Sequence, residues 1–160
     1  MKKIEMVDLR SQYERLKADI DNAITGVISS TAFIKGPDVR LFEEELQRYL
    51  GNRHVISCAN GTDALQIAMM ALGLKPGDEV ITTNFTFIAT VEVIELLGLK
   101  TVLVEPDYGS FNISVEAIRR AITPRTRAIV PVHLFGQCAD MEPILDLARQ
   151  HDIHVIEDVA

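Results

Sequence analysis

Cysteine is scarce in this chain. Only Cys58 and Cys138 occur in 160 residues, which makes no disulfide framework and no cysteine metal cluster. Positive charge is also in deficit: 16 Lys and Arg face 23 Asp and Glu, for a net charge of −7. That balance argues against a general binder of phosphate backbones, a local basic patch aside. No uninterrupted apolar run reaches membrane-spanning length. The opening MKKIEMVDLR turns acidic before a signal-peptide core could form. No internal repeat or low-complexity tract is visible. What the chain does have is 48% hydrophobic residues, with Leu, Ile, Val and Ala recurring throughout, which excludes disorder. Its length fits one domain, or a large piece of one. These features describe a soluble, cytoplasmic α/β protein.

Two helices open the chain. From Asp8 to about Ser29, the residues Tyr13, Leu16, Ile20, Ile24 and Val27 recur three or four apart and paint one apolar stripe. A second helix runs from Pro37, which suits a first helical turn, to Leu50, with Gly51 as its stop. Its Val39, Phe42, Leu46 and Tyr49 are expected inward, with Glu43, Glu44 and Glu45 toward solvent. Thr31 to Gly36 forms a short apolar link with a flexible end. Residues 1–50 read as a helical docking region.

After Gly51, short apolar runs alternate with helical periods. The expected strands are His54–Ser57, Glu79–Thr82, Thr101–Val104, Ala128–Val132 and His154–Glu157, each apolar on both faces as sandwiched parallel strands must be. The intervening helices are expected over Thr62–Leu72, Ile88–Leu97, Ser114–Ile122 and Met141–Gln150, with Gly73 and Gly98 as stops and Asp140 as an N-cap. Such alternation implies a mainly parallel, three-layer αβα sheet.

In open α/β sheets, ligands bind beyond the carboxyl ends of the strands. The first such loop, Ser57-Cys58-Ala59-Asn60-Gly61-Thr62-Asp63, leads into a helix. Its amides and dipole could receive a phosphate, with Gly61 allowing close approach and Thr62 adding a hydroxyl. It reads equally as an ordinary N-cap and tight turn. It is neither a dinucleotide fingerprint nor a P-loop, since G-x-G-x-x-G and G-K-[ST] are both absent. The second loop carries Phe85-Thr86-Phe87, either a platform for a flat ligand or a plug for the core. The last strand ends in Glu157-Asp158. A carboxylate there needs a cation, a metal or a protonated ring nitrogen, because a buried unpaired charge is costly; a helix N-cap is its other reading. His133 ends the fourth strand, either touching a ligand or satisfied in place. His151 and His154 lack partners at ligand spacing, so zinc is not indicated, and Cys58 reads as a packed thiol.

A phosphate cradle, an aromatic platform and a strand-end aspartate together describe a holder for pyridoxal 5′-phosphate. That cofactor has a phosphate, a flat ring and a pyridine nitrogen that a carboxylate keeps protonated.

The sequence resembles the sugar aminotransferases of the DegT/DnrJ/EryC1/StrS family, which have the aspartate-aminotransferase fold (fold type I). The resemblance extends from Val7-Asp8-Leu9 to Ile156-Glu157-Asp158. It rests on Phe33-Ile34-x-Gly36-Pro37, Ala59-Asn60-Gly61-Thr62-Asp63-Ala64-Leu65, Lys75-Pro76-Gly77-Asp78-Glu79-Val80, Phe85-Thr86-Phe87-Ile88-Ala89-Thr90, Ala121-Ile122-Thr123-Pro124, Pro131-Val132-His133-Leu134-Phe135-Gly136 and Val155-Ile156-Glu157-Asp158, in that order. By this resemblance Gly61, Thr62 and Asp63 match the phosphate turn, Phe87 the ring-stacking aromatic, and Asp158 the partner of the ring nitrogen. Phe33 to Pro37 matches a loop near the sugar pocket of the family dimer, and His133 inherits no role. Thr83 stands where the family commonly has proline, and Glu105-Pro106-Asp107-Tyr108 replaces an aspartate-rich turn.

The resemblance implies a homodimeric enzyme that aminates a nucleotide-linked keto-sugar, with glutamate as amino donor, for surface polysaccharide or related glycans. It places the Schiff-base lysine beyond Ala160, so residues 51–160 are the first part of the cofactor domain and the chain as given is expected to be inactive. Incomplete, it is also expected to expose sheet edges. Two other readings stand beside this one: a family dehydratase with histidine in place of the lysine, and a non-catalytic module that holds phosphate ligands.

Overall fold

The computed structural model describes residues 7–159, so Met1 to Met6, with Lys2 and Lys3, and Ala160 lie outside it. The chain divides into two compact units, Met1–Ser57 and Cys58–Ala160. Among the described residues no helix is long and apolar enough to cross a membrane.

The first unit holds α1 (Leu9–Ser30) and α2 (Pro37–Leu50). Asp8 caps α1 by accepting from the Ser11 amide at 3.0 Å, and Pro37 opens α2 where no amide is needed. Gly36 is buried, and a Cβ there would sit 2.1 Å from the Ala32 carbonyl oxygen. Close approach requires this glycine, so the end of the link packs tightly against Ala32. The apolar stripes find little cover. Neither helix has a buried residue, and Phe42 and Tyr49, expected inward, are exposed. Glu43, expected at solvent, is half-buried and accepts the Ser57 amide at 2.8 Å. That bond holds its carboxyl below the usual range.

The second unit is a four-stranded sheet, β1 (Glu79–Thr83), β2 (Lys100–Val104), β3 (Thr126–Val130) and β4 (His154–Val155). Its order is β2-β1-β3-β4 and every pairing is parallel. The helices are α3 (Gly61–Ala71), α4 (Ala89–Leu96), α5 (Val115–Ala121) and α6 (Met141–His151). Side chains alternate between the two faces of a strand, and the core divides accordingly. Ile81 and Ile129 pack with Ile118 of α5 and Ile144 and Leu147 of α6. Their neighbours Val80, Ala128 and Val130 pack with Leu65 and Met69 of α3 and Val93 and Ile94 of α4. Two apolar faces make three layers. Each fully buried Ile or Leu contributes about 1.5–3 kcal/mol.

Three expectations are corrected. His54–Ser57 is not a strand: among the described residues no strand pairs with it, and its Ser57 amide goes to the Glu43 side chain instead. The strands are not all apolar on both faces: β2 lies at the edge with Leu103 exposed, and β1 buries Glu79, Thr82 and Thr83. Asp140 precedes α6 without a side-chain capping bond. The regular ladder of β3 also stops at Val130, since Pro131 has no N–H to continue it. Beyond it, an isolated parallel bridge joins Val132 to Asp158.

Candidate cofactor site

Parallel strands all finish at one edge, which gathers the segments after β1, β3 and β4. Asp158 sits there on the bridge to Val132. Its amide donates to the Pro131 carbonyl at 2.9 Å, and its carbonyl accepts the His133 amide at 2.9 Å. The residue is only 8% exposed. A carboxylate so enclosed requires donors, and Thr90 provides one: its hydroxyl, in the first turn of α4, donates to Asp158 Oδ2 at 2.8 Å. Thr90 belongs to a sequence segment that stood out, but its own role did not. A threonine inside a helix gives no local sign that it will meet a residue 68 positions away.

The loop between β1 and α4 carries both aromatics. Phe85 packs against Phe111 with centroids 5.7 Å apart and planes tilted by 47°. Phe87 is 76% exposed, so of the two readings for this pair the core plug fails for Phe87. Its ring is open to a flat partner. The backbone of the same loop is tied to α4, since the Thr90 amide donates to the Phe87 carbonyl at 3.4 Å.

At the start of α3, Asn60 Oδ1 accepts the Asp63 amide at 2.9 Å, and Asn60 Nδ2 donates to the Asp63 carboxylate at 3.2 Å. The Asp63 amide is therefore committed to the cap, and its carboxylate complements the helix dipole. Among the described residues no acceptor meets the amides of Gly61 and Thr62. A Cβ on Gly61 would touch nothing within 4 Å. Packing does not demand glycine at this position, in contrast to Gly36, and its surroundings leave room for a ligand to approach. A helix of 11 residues spans about 16 Å. From there α3 leads through residues 72–78 into β1. Thr62 and Asp63 line a cavity of about 440 Å³ with Gln66, Glu92, Val93 and Leu96, which places them beside α4. Cys58, expected as a packed thiol, is exposed and donates to the Asn60 carbonyl at 3.3 Å; the open turn gives it nothing to pack against.

His133 is buried and satisfied on both nitrogens. Nδ1 accepts the Ala139 amide at 3.1 Å, so in the neutral ring the proton is on Nε2, 2.9 Å from Glu157 Oε2. Asn112 pins the neighbouring loop, donating to the Gln137 and Cys138 carbonyls at 3.0 Å and accepting the Leu134 amide at 3.2 Å. Neither Asn112 nor the His133–Glu157 contact was foreseen, since both depend on loops that only the fold brings together.

The three-layer parallel sheet has the aminotransferase fold of fold type I, incomplete, by its likeness to solved structures, among them a DegT DnrJ EryC1 StrS aminotransferase from Brucella abortus with a TM-score of 0.93, 40% identity, and 97% of this chain and 43% of that one covered. Residues 14–160 match the profile of the DegT/DnrJ/EryC1/StrS aminotransferase family, and the chain belongs to that family. It is 50% identical to UDP-2-acetamido-2-deoxy-3-oxo-D-glucuronate aminotransferase of Pseudomonas aeruginosa over 98% of this chain and 44% of that protein. Among solved structures it is similar to DesV of S. venezuelae in complex with a ketimine intermediate, with a TM-score of 0.95, 39% identity, and 99% of this chain and 43% of that one covered. It is also similar to ntda from Bacillus subtilis with bound cofactor PMP, with a TM-score of 0.90, 37% identity, and 99% and 37% coverage. The chain thus spans less than half the length of these relatives.

Proposed function

We propose that this chain supplies the cofactor-anchoring part of a pyridoxal-phosphate-dependent aminotransferase acting on a nucleotide-linked keto-sugar. The observation that carries the reading is Asp158: a buried carboxylate at a strand end, held by Thr90, next to a loop that presents an exposed phenylalanine. The residues fit the cofactor in chemistry. Gly61 and Thr62 offer amides and a hydroxyl to the phosphate at the start of α3, and Asp63 shapes that turn through Asn60. Phe87 provides an apolar face for the ring, and Asp158 an acceptor for a protonated ring nitrogen. The cofactor, when bound, supplies an electron sink for breaking and remaking bonds at the amino carbon.

The same reading makes glutamate the amino donor, a glycan such as a surface polysaccharide the destination, the cytoplasm the location, and a homodimer the working form. Residues 1–50 serve as a docking region and 51–160 as the first part of the cofactor domain. Residues 1–160 alone are inactive. In the unit that carries Asp158, Lys75 lies in the turn leading into β1, and Lys100 pairs with Glu79 at 3.3 Å where the strands begin. Neither stands at the edge that holds Asp158.

The test is turnover by the full-length protein given pyridoxal 5′-phosphate, ¹⁵N-glutamate and UDP- or dTDP-linked 3-keto and 4-keto sugars. Transfer of ¹⁵N to the sugar is expected. Loss of water from the sugar without nitrogen transfer would indicate a dehydratase, and no change in any sugar would leave a binding module. Turnover by residues 1–160 alone would refute the placement of the lysine elsewhere.

A further inference from the structure

Asp158 is fixed at its backbone by two hydrogen bonds, and the orientation of its carboxylate is set through its side-chain contacts. The second torsion of an aspartate is broad and has no strong preference of its own. Thr90 bears on that torsion directly. It is 1% exposed, its hydroxyl reaches Asp158 Oδ2 at 2.8 Å, and its amide holds the Phe87 carbonyl at 3.4 Å. Because the Thr90 hydroxyl proton is directed to Asp158, the Thr86 hydroxyl is the donor in the 3.4 Å contact between the two threonines. A β-branched side chain has few rotamers in a helix, so the direction of the donor is set by the first turn of α4.

Resting on the cofactor reading above, we propose that Thr90 is a positioning residue for the pyridine ring. It sets the rotation of the Asp158 carboxylate relative to the loop that carries Phe87, so that the two groups flanking the ring keep one geometry. The group that holds the ring nitrogen and the group that holds the ring face are thus tied through one residue. A site built this way loses affinity when the support loosens, even though both groups that touch the ring are intact.

The experiment uses the full-length protein freed of cofactor and titrated with pyridoxamine 5′-phosphate, whose binding needs no lysine linkage. Affinity is followed by the cofactor's absorbance, and the ring nitrogen by its ¹⁵N shift in labelled cofactor. Thr90→Val is expected to weaken binding about tenfold and to move the ¹⁵N signal. Thr90→Ser, which keeps the hydroxyl, is expected to bind within about threefold of the parent and to restore the signal. Thr90→Ala is read in the same way should the valine variant fail to fold. Parental affinity and an unchanged ¹⁵N signal in a folded Thr90→Val or Thr90→Ala variant overturn the proposal. Asp158→Asn and Phe87→Ala separate two kinds of failure. If these weaken binding and Thr90→Val does not, the positioning role falls and the cofactor reading survives. If neither weakens binding, the cofactor reading falls and the positioning role with it.

Discussion

The two units of this chain use the same local devices to start and stop helices, yet they differ in what those helices bury. In the unit from Cys58 onward, Ile94, Ile118 and Ile144 have no exposed surface, and the sheet residues Ile81 and Ile129 beneath the helices are equally enclosed. In the first unit, α1 leaves Leu16 at 47% and Ile24 at 54% exposed, and α2 leaves Tyr49 at 87%. Capping and periodicity therefore determine where a helix lies in the chain, while a second layer determines whether its apolar face is used. Most helical stability comes from that packing, so α1 and α2 rest on local terms and the sheet unit on its core.

This contrast can be broken most sharply by paired truncations. Ile129→Ala, at the centre of the sheet, should cost about 3–4 kcal/mol in urea unfolding, whereas Leu16→Ala on α1 should cost less than about 0.5 kcal/mol. Equal losses would mean that the α1 stripe is covered in solution and that the two units do not differ in kind. Next in size is the polar node at the start of β1. Glu79 accepts from Thr123 and is paired with Arg125 at 2.7 Å and Lys100 at 3.3 Å, and these partners lower its pKa from 4.5 to about 2. Since the folded value lies below the unfolded one, the stabilisation is complete above about pH 4.5 and is lost as the pH falls through about 2. Glu79→Gln should cost about 2 kcal/mol at neutral pH and flatten the acid limb of the stability profile. An unchanged acid limb would remove Glu79 from the account. Smallest among the sheet unit's effects is the α3 cap: Asn60→Ala should cost about 1 kcal/mol, and a loss no larger than that of Leu16→Ala would show that the turn is held by other means.

Much of the sheet unit was legible because its strands carry short runs of valine and isoleucine and two of its four helices begin at side-chain caps. The helix after Ser114 is one case, since the Ser114 hydroxyl accepts the Ala117 amide at 3.3 Å. His54–Ser57 has the same composition as a strand, but a strand exists only with a neighbour, and local sequence does not supply one. Phe42 and Tyr49 have correct helical spacing and still face solvent for the same reason. At the candidate site, Asp158 and Phe87 stood out as a charge at a strand end and an aromatic in a loop. Thr90, Asn112 and the His133–Glu157 contact did not, because each acts on a residue distant in sequence. Side chains that would touch a ligand have a local signature, and those that hold them do not.

The central claim is that the strand-end aspartate anchors pyridoxal 5′-phosphate. The most direct measurement is the affinity of the full-length protein and its Asp158→Asn variant for pyridoxamine 5′-phosphate, taken at one pH with thermal unfolding checked in parallel. The claim predicts tight binding by the parent and a loss of about 100-fold in a variant that still folds. Equal affinity in the two proteins, or no binding by the parent, would contradict it.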